Sequence, residues 1–477
     1  MTSFRCIAAT LLALAGPLFT QVASAQVQPK TIVDIVPCAA GGIGINLASV
    51  FFYPAITGST TEACVSTGAQ TSFTTGSTSI GPGVSGQILN LNISDCTAFQ
   101  IPGCVVTDFI TFPSIPTLHF DLSLIGPGPA TANCTSQFDS TQPVCGVFTA
   151  SPPSIPINSP FILTALPTGT ALSLPVFGQV RVGSNIVATY VGVLAAEAAG
   201  ISPLQLQEGV LNGLLDTGIY GISMIVTPIA SISAGGVVNA ASFQGTGVSP
   251  GEIVAVFGSN FSPVVSGTQL ASASLVSNNV AGTFVLFDGV PAPLLATSSG
   301  QIAAVVPYSV SGQTVVQVAH VLESTLNVYT GAAIVSSPSV TIPVVASAPG
   351  IFTANASGTG QIAMANQNGT LNSASAAAPK GSTVTFYATG EGQTSPAGVT
   401  GGVNSGSVLP KPVLPVTVTI GGVNAQVAYA GAAGGDVAGV LQVNVVVPST
   451  VTSGSALPVV LTVGTVQSQT GTTMAVQ

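Results

Sequence analysis

The sequence predicts an all-β protein: a disulfide-bearing N-terminal β domain with one helix, followed by two tandem β-sandwiches. Three observations carry this. The chain is apolar (mean hydropathy +0.67), yet its 55 Gly and 34 Pro break every later apolar stretch within a strand's length, a turn-rich all-β composition. Every cysteine precedes Gly146. An internal repeat occupies the second half.

The N-terminus carries Arg5, an apolar stretch from Ile7 to Phe19, and Ala23-Ser24-Ala25 before Gln26. This is the pattern of a secretory signal peptide over residues 1–25, with a small-x-small cleavage site. Pro17 interrupts the apolar run, which falls short of the roughly 20 residues of a membrane span. Gln26 stands where a lipoprotein needs cysteine, and Cys6 lies too early for acylation. No transmembrane segment is expected in the mature chain. An outer-membrane barrel would also alternate apolar and polar residues, but 6% aromatic content with no Trp supplies poor aromatic girdles.

Charge narrows the partners. Five Lys+Arg stand against 14 Asp+Glu, and losing Arg5 takes the net charge from −9 to −10. Nucleic acid and anionic membrane surfaces are therefore excluded as expected partners.

Beyond Cys6, six cysteines remain: Cys38, Cys64, Cys96, Cys104, Cys134 and Cys145. An even count in an exported chain predicts disulfides. Short loops close at the least entropic loss, which favours Cys96 with Cys104 and Cys134 with Cys145 and leaves Cys38 with Cys64. No C-x-x-C spacing occurs and His is nearly absent, so a zinc site is not expected. From Gly146 onward the domains must rest on core burial alone.

Residues 26–230 read as one β domain. In the segment Thr117 to Leu124, Leu118, Phe120, Leu122 and Leu124 share one face and His119, Asp121 and Ser123 the other, a half-buried strand. Val176 to Val182 and Ile186 to Val193 flank Gly183-Ser184-Asn185 as a hairpin. One helix is expected: Ser202 as N-cap, Pro203 at the first position, Gln205 completing a capping box, and Leu206, Val210 and Leu214 on one face. It should end near Asp216-Thr217-Gly218. A strand from Ile219 to Val226 follows, and residues 231–236 read as a linker.

The repeat begins at Val237. Gly251-Glu252-Ile253-Val254-Ala255-Val256-Phe257 matches Gly381-Ser382-Thr383-Val384-Thr385-Phe386-Tyr387. Phe287-Asp288-Gly289-Val290-Pro291-Ala292 matches Ile420-Gly421-Gly422-Val423-Asn424-Ala425, and Gln301 to Pro307 matches Gln442 to Pro448. Units of about a hundred residues with strands and turns at this spacing predict immunoglobulin-like sandwiches over 237–345 and 346–477.

The segments Val237 to Phe243, Phe287 to Pro293, Ala348 to Phe352 and Ala388 to Thr394 resemble the Solibacter-type C-terminal domain of exported acidobacterial proteins. Val256-Phe257-Gly258-Ser259-Asn260-Phe261 is similar to the signature of IPT/TIG immunoglobulin-like domains. The resemblance covers 237–477 and implies fold and an exported location. It implies no chemistry, since such modules serve as spacers or binding accessories.

Candidate chemistry is sparse. Gly247-Val248-Ser249-Pro250-Gly251 fits the G-x-S-x-G pattern, but the elbow requires a helix after its serine, and here a strand from Glu252 to Phe257 is expected. His119 and Asp121 lie two apart on a polar strand face, where they could share a proton or a cation, though a solvated face is the plainer reading. His320 continues a strand with Val316 and Val318, and Glu391 lies in a Gly-rich turn. No calcium loop, P-loop or dinucleotide fingerprint occurs, and no cofactor is expected. The expectation is a noncatalytic extracellular or cell-surface protein whose N-terminal domain binds a glycan or surface protein. The alternative is a secreted glycan-active hydrolase with its site in that domain, which needs two facing carboxylates.

Overall fold

A computed structural model describes residues 31–39, 41–45, 49–75, 77–92, 106–126, 134, 136, 144–148, 158–212, 215–216, 219–245, 247–262, 265–323 and 332–477. The signal segment, Cys96 and Cys104 lie outside the described residues. The chain forms two compact units, Gln28–Ile229 with Leu322–Ala333, and Ala230–Val321 with Ile334–Gln477. Among the described residues the fold is nearly all β, with one helix, and disulfides lie in the N-terminal region.

In the first unit eight antiparallel strands follow the order Leu118–Ile125, Val106–Thr111, Ser85–Leu89, Glu62–Thr67, Thr31–Pro37, Tyr220–Pro228, Asn185–Ala199 and Gly169–Val182. The last pairs back onto the first, His119 opposite Arg181 and Phe120 opposite Val180, and the sheet closes into a barrel. The Gly169–Val182 strand is long enough to serve two neighbours. Its first residues pair with Asn158–Leu166 and its second half with Leu118–Ile125.

The alternation expected of half-buried strands sorts the two faces. Val33, Ile35, Val65, Ile88, Ile110, Phe120, Val180, Tyr190, Leu194, Ile222 and Met224 are buried and occupy one phase of the strand register. The other phase carries Asp34, Glu62, Gln87, His119, Arg181 and Ser223. An apolar interior and polar exterior invert the pattern of a transmembrane barrel, and eight strands enclose just enough room for side chains. The Tyr190 ring crosses Gly178, where a Cβ would collide with it.

The hairpin expected of Val176 to Val182 and Ile186 to Val193 forms from longer strands, Gly169–Val182 and Asn185–Ala199, that meet at Gly183-Ser184, with Gly183 at φ +61°. Leu124 departs from the expected face. A register shift between Leu122 and Leu124 turns Ile125 inward instead, as a bulge does.

The helix spans Pro203–Asn212. Gln205 Oε1 accepts from the Ser202 amide at 3.0 Å, the reciprocal half of a capping box, and Leu206 and Val210 are buried. It stops before the expected Asp216, because Leu215–Asp216 pairs with Ile43–Ile45. Leu214 lies outside the described residues.

The second unit holds the repeat, and its equivalence reaches the hydrogen-bond register. Ile253 faces Val305 and Thr383 faces Val446, which are matched positions of the two copies. Phe287 faces Val290 across Asp288-Gly289, and Ile420 faces Val423 across Gly421-Gly422. Both central residues have positive φ in each turn (52° and 79°, 57° and 78°), the type I′ geometry of two-residue hairpins. The first copy layers the sheet containing Ser231–Asn239, Ile253–Ser259 and Gln301–Val305 against the sheet containing Thr283–Phe287 and Gln313–Glu323. In the second copy the sheet is continuous, because Val423–Ala432 pairs with Val416–Ile420 by its first half and with Leu441–Val446 by its second, bending at a bulge.

Residues 231–236 are a correction to the linker reading. They belong to the strand Ser231–Asn239, in which Ser231 and Ile232 pair with Ser259 and Gly258. A fragment starting at Ala230 is therefore expected to unfold at higher temperature than one starting at Val237, by about 1–2 kcal/mol of lost pairing and burial. Thermal circular dichroism of the two fragments checks this, and neither should respond to reductant.

Candidate functional site

Charged side chains are so few that their meeting is informative. In the barrel wall three of them, Asp108, Asp121 and Arg181, meet beside His119 on three adjacent strands, Val106–Thr111, Leu118–Ile125 and Gly169–Val182. Arg181 donates through Nε to Asp121 Oδ2, through Nη2 to Asp121 Oδ1 at 2.9 Å, and through Nη2 to Asp108 Oδ1 at 2.9 Å. The Asp108 amide donates to Asp121 Oδ1 at 2.8 Å, a direction open to it because Asp108 sits at φ +59°. His119 Nδ1 stands 2.8 Å from Asp108 Oδ1 without the alignment of a hydrogen bond.

The electrostatics follow from the placement. Burial raises the Asp121 carboxyl, but the Arg181 hydrogen bond, the Asp108 amide and the Arg181 charge outweigh it and hold the carboxyl below its ordinary value. The hydrogen bond to Asp121 likewise drives the guanidinium further from neutrality.

The expectation of a solvated polar face at His119 and Asp121 is thus corrected for Asp121, whose residue is 2% exposed. Arg181 and Asp108, which complete the cluster, were not anticipated. The available signal was the scarcity of charge itself, since Arg181 is one of five basic residues. What the arrangement does chemically is close the barrel seam. Arg181 occupies the position a cation would take between the carboxylates, and no group of three metal-ligating side chains occurs among the described residues.

The remaining sequence candidates fall elsewhere. Cys38–Cys64 and Cys134–Cys145 are bonded as expected. Ser249 of the G-x-S-x-G segment is fully buried in a turn, its amide donating to Glu252 Oε2 at 2.7 Å, and a strand rather than a helix follows at Ile253. His320 is held between the Asn260 carbonyl at 3.0 Å and the Thr283 hydroxyl at 3.3 Å, and burial lowers its basicity. Glu391 lies in its turn but is only 3% exposed.

No family model and no curated protein matches the chain. Among solved structures it is similar to a "Biofilm associated protein - BSP domain" at 8% identity, covering 94% of this chain and 91% of that one with a TM-score of 0.14, a score too low to identify a common fold. Among the described residues no helix is long and apolar enough to cross a membrane.

Proposed function

We propose that this is an exported, noncatalytic extracellular or cell-surface protein. The disulfide-bearing barrel is its binding domain, and the immunoglobulin-like pair, akin to the Solibacter-type and IPT/TIG modules it resembles, is a spacer. The observation that carries the reading is the closure of Cys38–Cys64 and Cys134–Cys145, since such bridges persist in oxidising compartments. The signal-like residues 1–25 agree with it. Loops pinned by disulfides on a rigid sheet lose less entropy on binding, which favours recognition of a glycan or surface protein by the barrel. The hydrolase alternative would need two carboxylates free to act on substrate. Asp108 and Asp121 are instead committed to Arg181.

The test presents the full chain and its two halves, 26–229 and 230–477, to a glycan array and to intact cells of the source. Binding retained by the first half and lost by the second is the expected result. Retention by the second half alone reverses binder and spacer. Intact mass of the native protein before and after reduction checks processing at Gln26 and oxidation of all six cysteines.

A further inference from the structure

The two sandwiches of the second unit are not strung as separate beads. Ile253, Leu295 and Val305 of the first copy share a core with Tyr387, Val437 and Val440 of the second. The backbones meet directly: a Cβ on Gly439, at φ +104°, would overlap the Gly251 carbonyl oxygen. Hydrogen bonds cross the same seam. The Ile253 amide donates to Thr389 Oγ1 at 2.8 Å, and Asn239 Nδ2 donates to the Ala348 carbonyl at 2.9 Å.

Two carboxyl groups are buried in this seam. Glu252, 0% exposed, accepts from Asn239 Nδ2 at 2.9 Å and from the Ser249 amide at 2.7 Å. Glu391 lies in the loop whose Gly390 carbonyl accepts from the Ala348 amide at 2.8 Å, and its Oε2 is buried without a hydrogen-bond partner. The groups that face them are the two carboxyls themselves and the Tyr308 phenol, while Tyr387 of the shared core faces Asp436, whose carboxyl burial pushes up to about 6. The unit's described cationic candidates are Lys380, Lys411 and His320, and none forms an ion pair with either glutamate among the described residues. Lys411 lies over the Tyr429 ring, and His320 is held by Thr283 and Asn260.

We propose that this seam is a proton-dependent clasp, in which protonated Glu252 and Glu391 hold the sandwiches as one rigid body and their ionisation loosens it. Burial pushes Glu391 up to about 7, and burial, opposed by the Ser249 and Asn239 hydrogen bonds, pushes Glu252 up to about 8. An acid whose folded-state pKa is raised adds no penalty below its ordinary value of 4.5. Stability is then lost progressively as the pH rises from 4.5, and the loss levels off above about 7 for Glu391 and about 8 for Glu252. Without a counter-cation, the second charge is formed against the first as well as against burial.

The test follows the full chain from pH 5 to pH 9 by calorimetry and by hydrogen exchange, corrected for intrinsic rates. In the wild type the transition of the sandwich pair should fall by roughly 5–10 °C across this range. Peptides covering 249–256 and 386–393 should lose protection while 457–463 keeps it. Glu391→Gln, which removes the charge at a site with an unpartnered oxygen, should reduce both responses by roughly two fifths, the remainder belonging to Glu252. A wild-type transition that does not move between pH 5 and pH 9 overturns the proposal, whatever the variant does. So does a pH response of equal size in the wild type and a folded Glu391→Gln variant. The readout is independent of what the barrel binds.

Discussion

Reduction of the native protein is expected to lower the unfolding temperature of the barrel unit sharply and to leave residues 230–477 unmoved. The Cys38–Cys64 bridge closes a loop of sequence separation 26 and Cys134–Cys145 one of 11. In the chain-entropy account these contribute about 3.5 and about 3 kcal/mol respectively, by restricting the unfolded chain. Their sum is comparable to the whole stability of a domain. Calorimetry of the full chain, with and without reduction and alkylation, separates the two transitions. A barrel transition indifferent to reductant would show that its core, not its bridges, carries its stability. Described residues of the second unit contain no cysteine, so its transition serves as the internal reference.

The second large effect is expected at the barrel seam. Arg181→Met should destabilise the barrel by about 3 kcal/mol, because it strands the buried Asp121 carboxylate without its partner. The paired change Arg181→Met with Asp121→Leu should recover most of that loss, since a buried ion pair is often replaceable by apolar side chains of similar volume. Denaturant titration of the single and double variants measures the difference. The pH profiles should differ in sign. In the wild type Asp121 lies below its ordinary value of 3.8, so its contribution is present above that pH and is lost as the pH falls further. In Arg181→Met burial, the largest influence on Asp121, is opposed chiefly by the Asp108 amide, so the variant should regain stability as the solution is acidified from neutrality. A double variant no more stable than the single one would mean that Arg181 matters through its packing alone.

Much of the local structure was legible in residue order. The Ser202-x-x-Gln205 box forms because both partners lie within one helical turn, and Asp288-Gly289 and Gly421-Gly422 make matching turns because both positions tolerate positive φ. The Cys134–Cys145 bridge followed from loop length, which is a property of the chain before it folds, and Cys38–Cys64 was the pair left over. The repeat blocks matched in sequence take matched registers in the fold, Ile253 with Val305 and Thr383 with Val446.

The period of a strand tells which side chains share a face, but not which strand lies alongside it. Closure of the barrel, by pairing Leu118–Ile125 with a strand some 60 residues later, could therefore not be read from alternation. That closure makes Asp121 a buried partner of Arg181 rather than a solvated neighbour of His119. The strand at 231–236 looked like a linker because its Gly and Ser residues lack intrinsic preference, and only Gly258 and Ser259 opposite give its first residues a pairing. Glu391 was placed correctly in a glycine-rich turn. Its burial beside Glu252 was decided by the approach of two backbones at Gly251 and Gly439, a contact between residues distant in sequence that local composition does not specify.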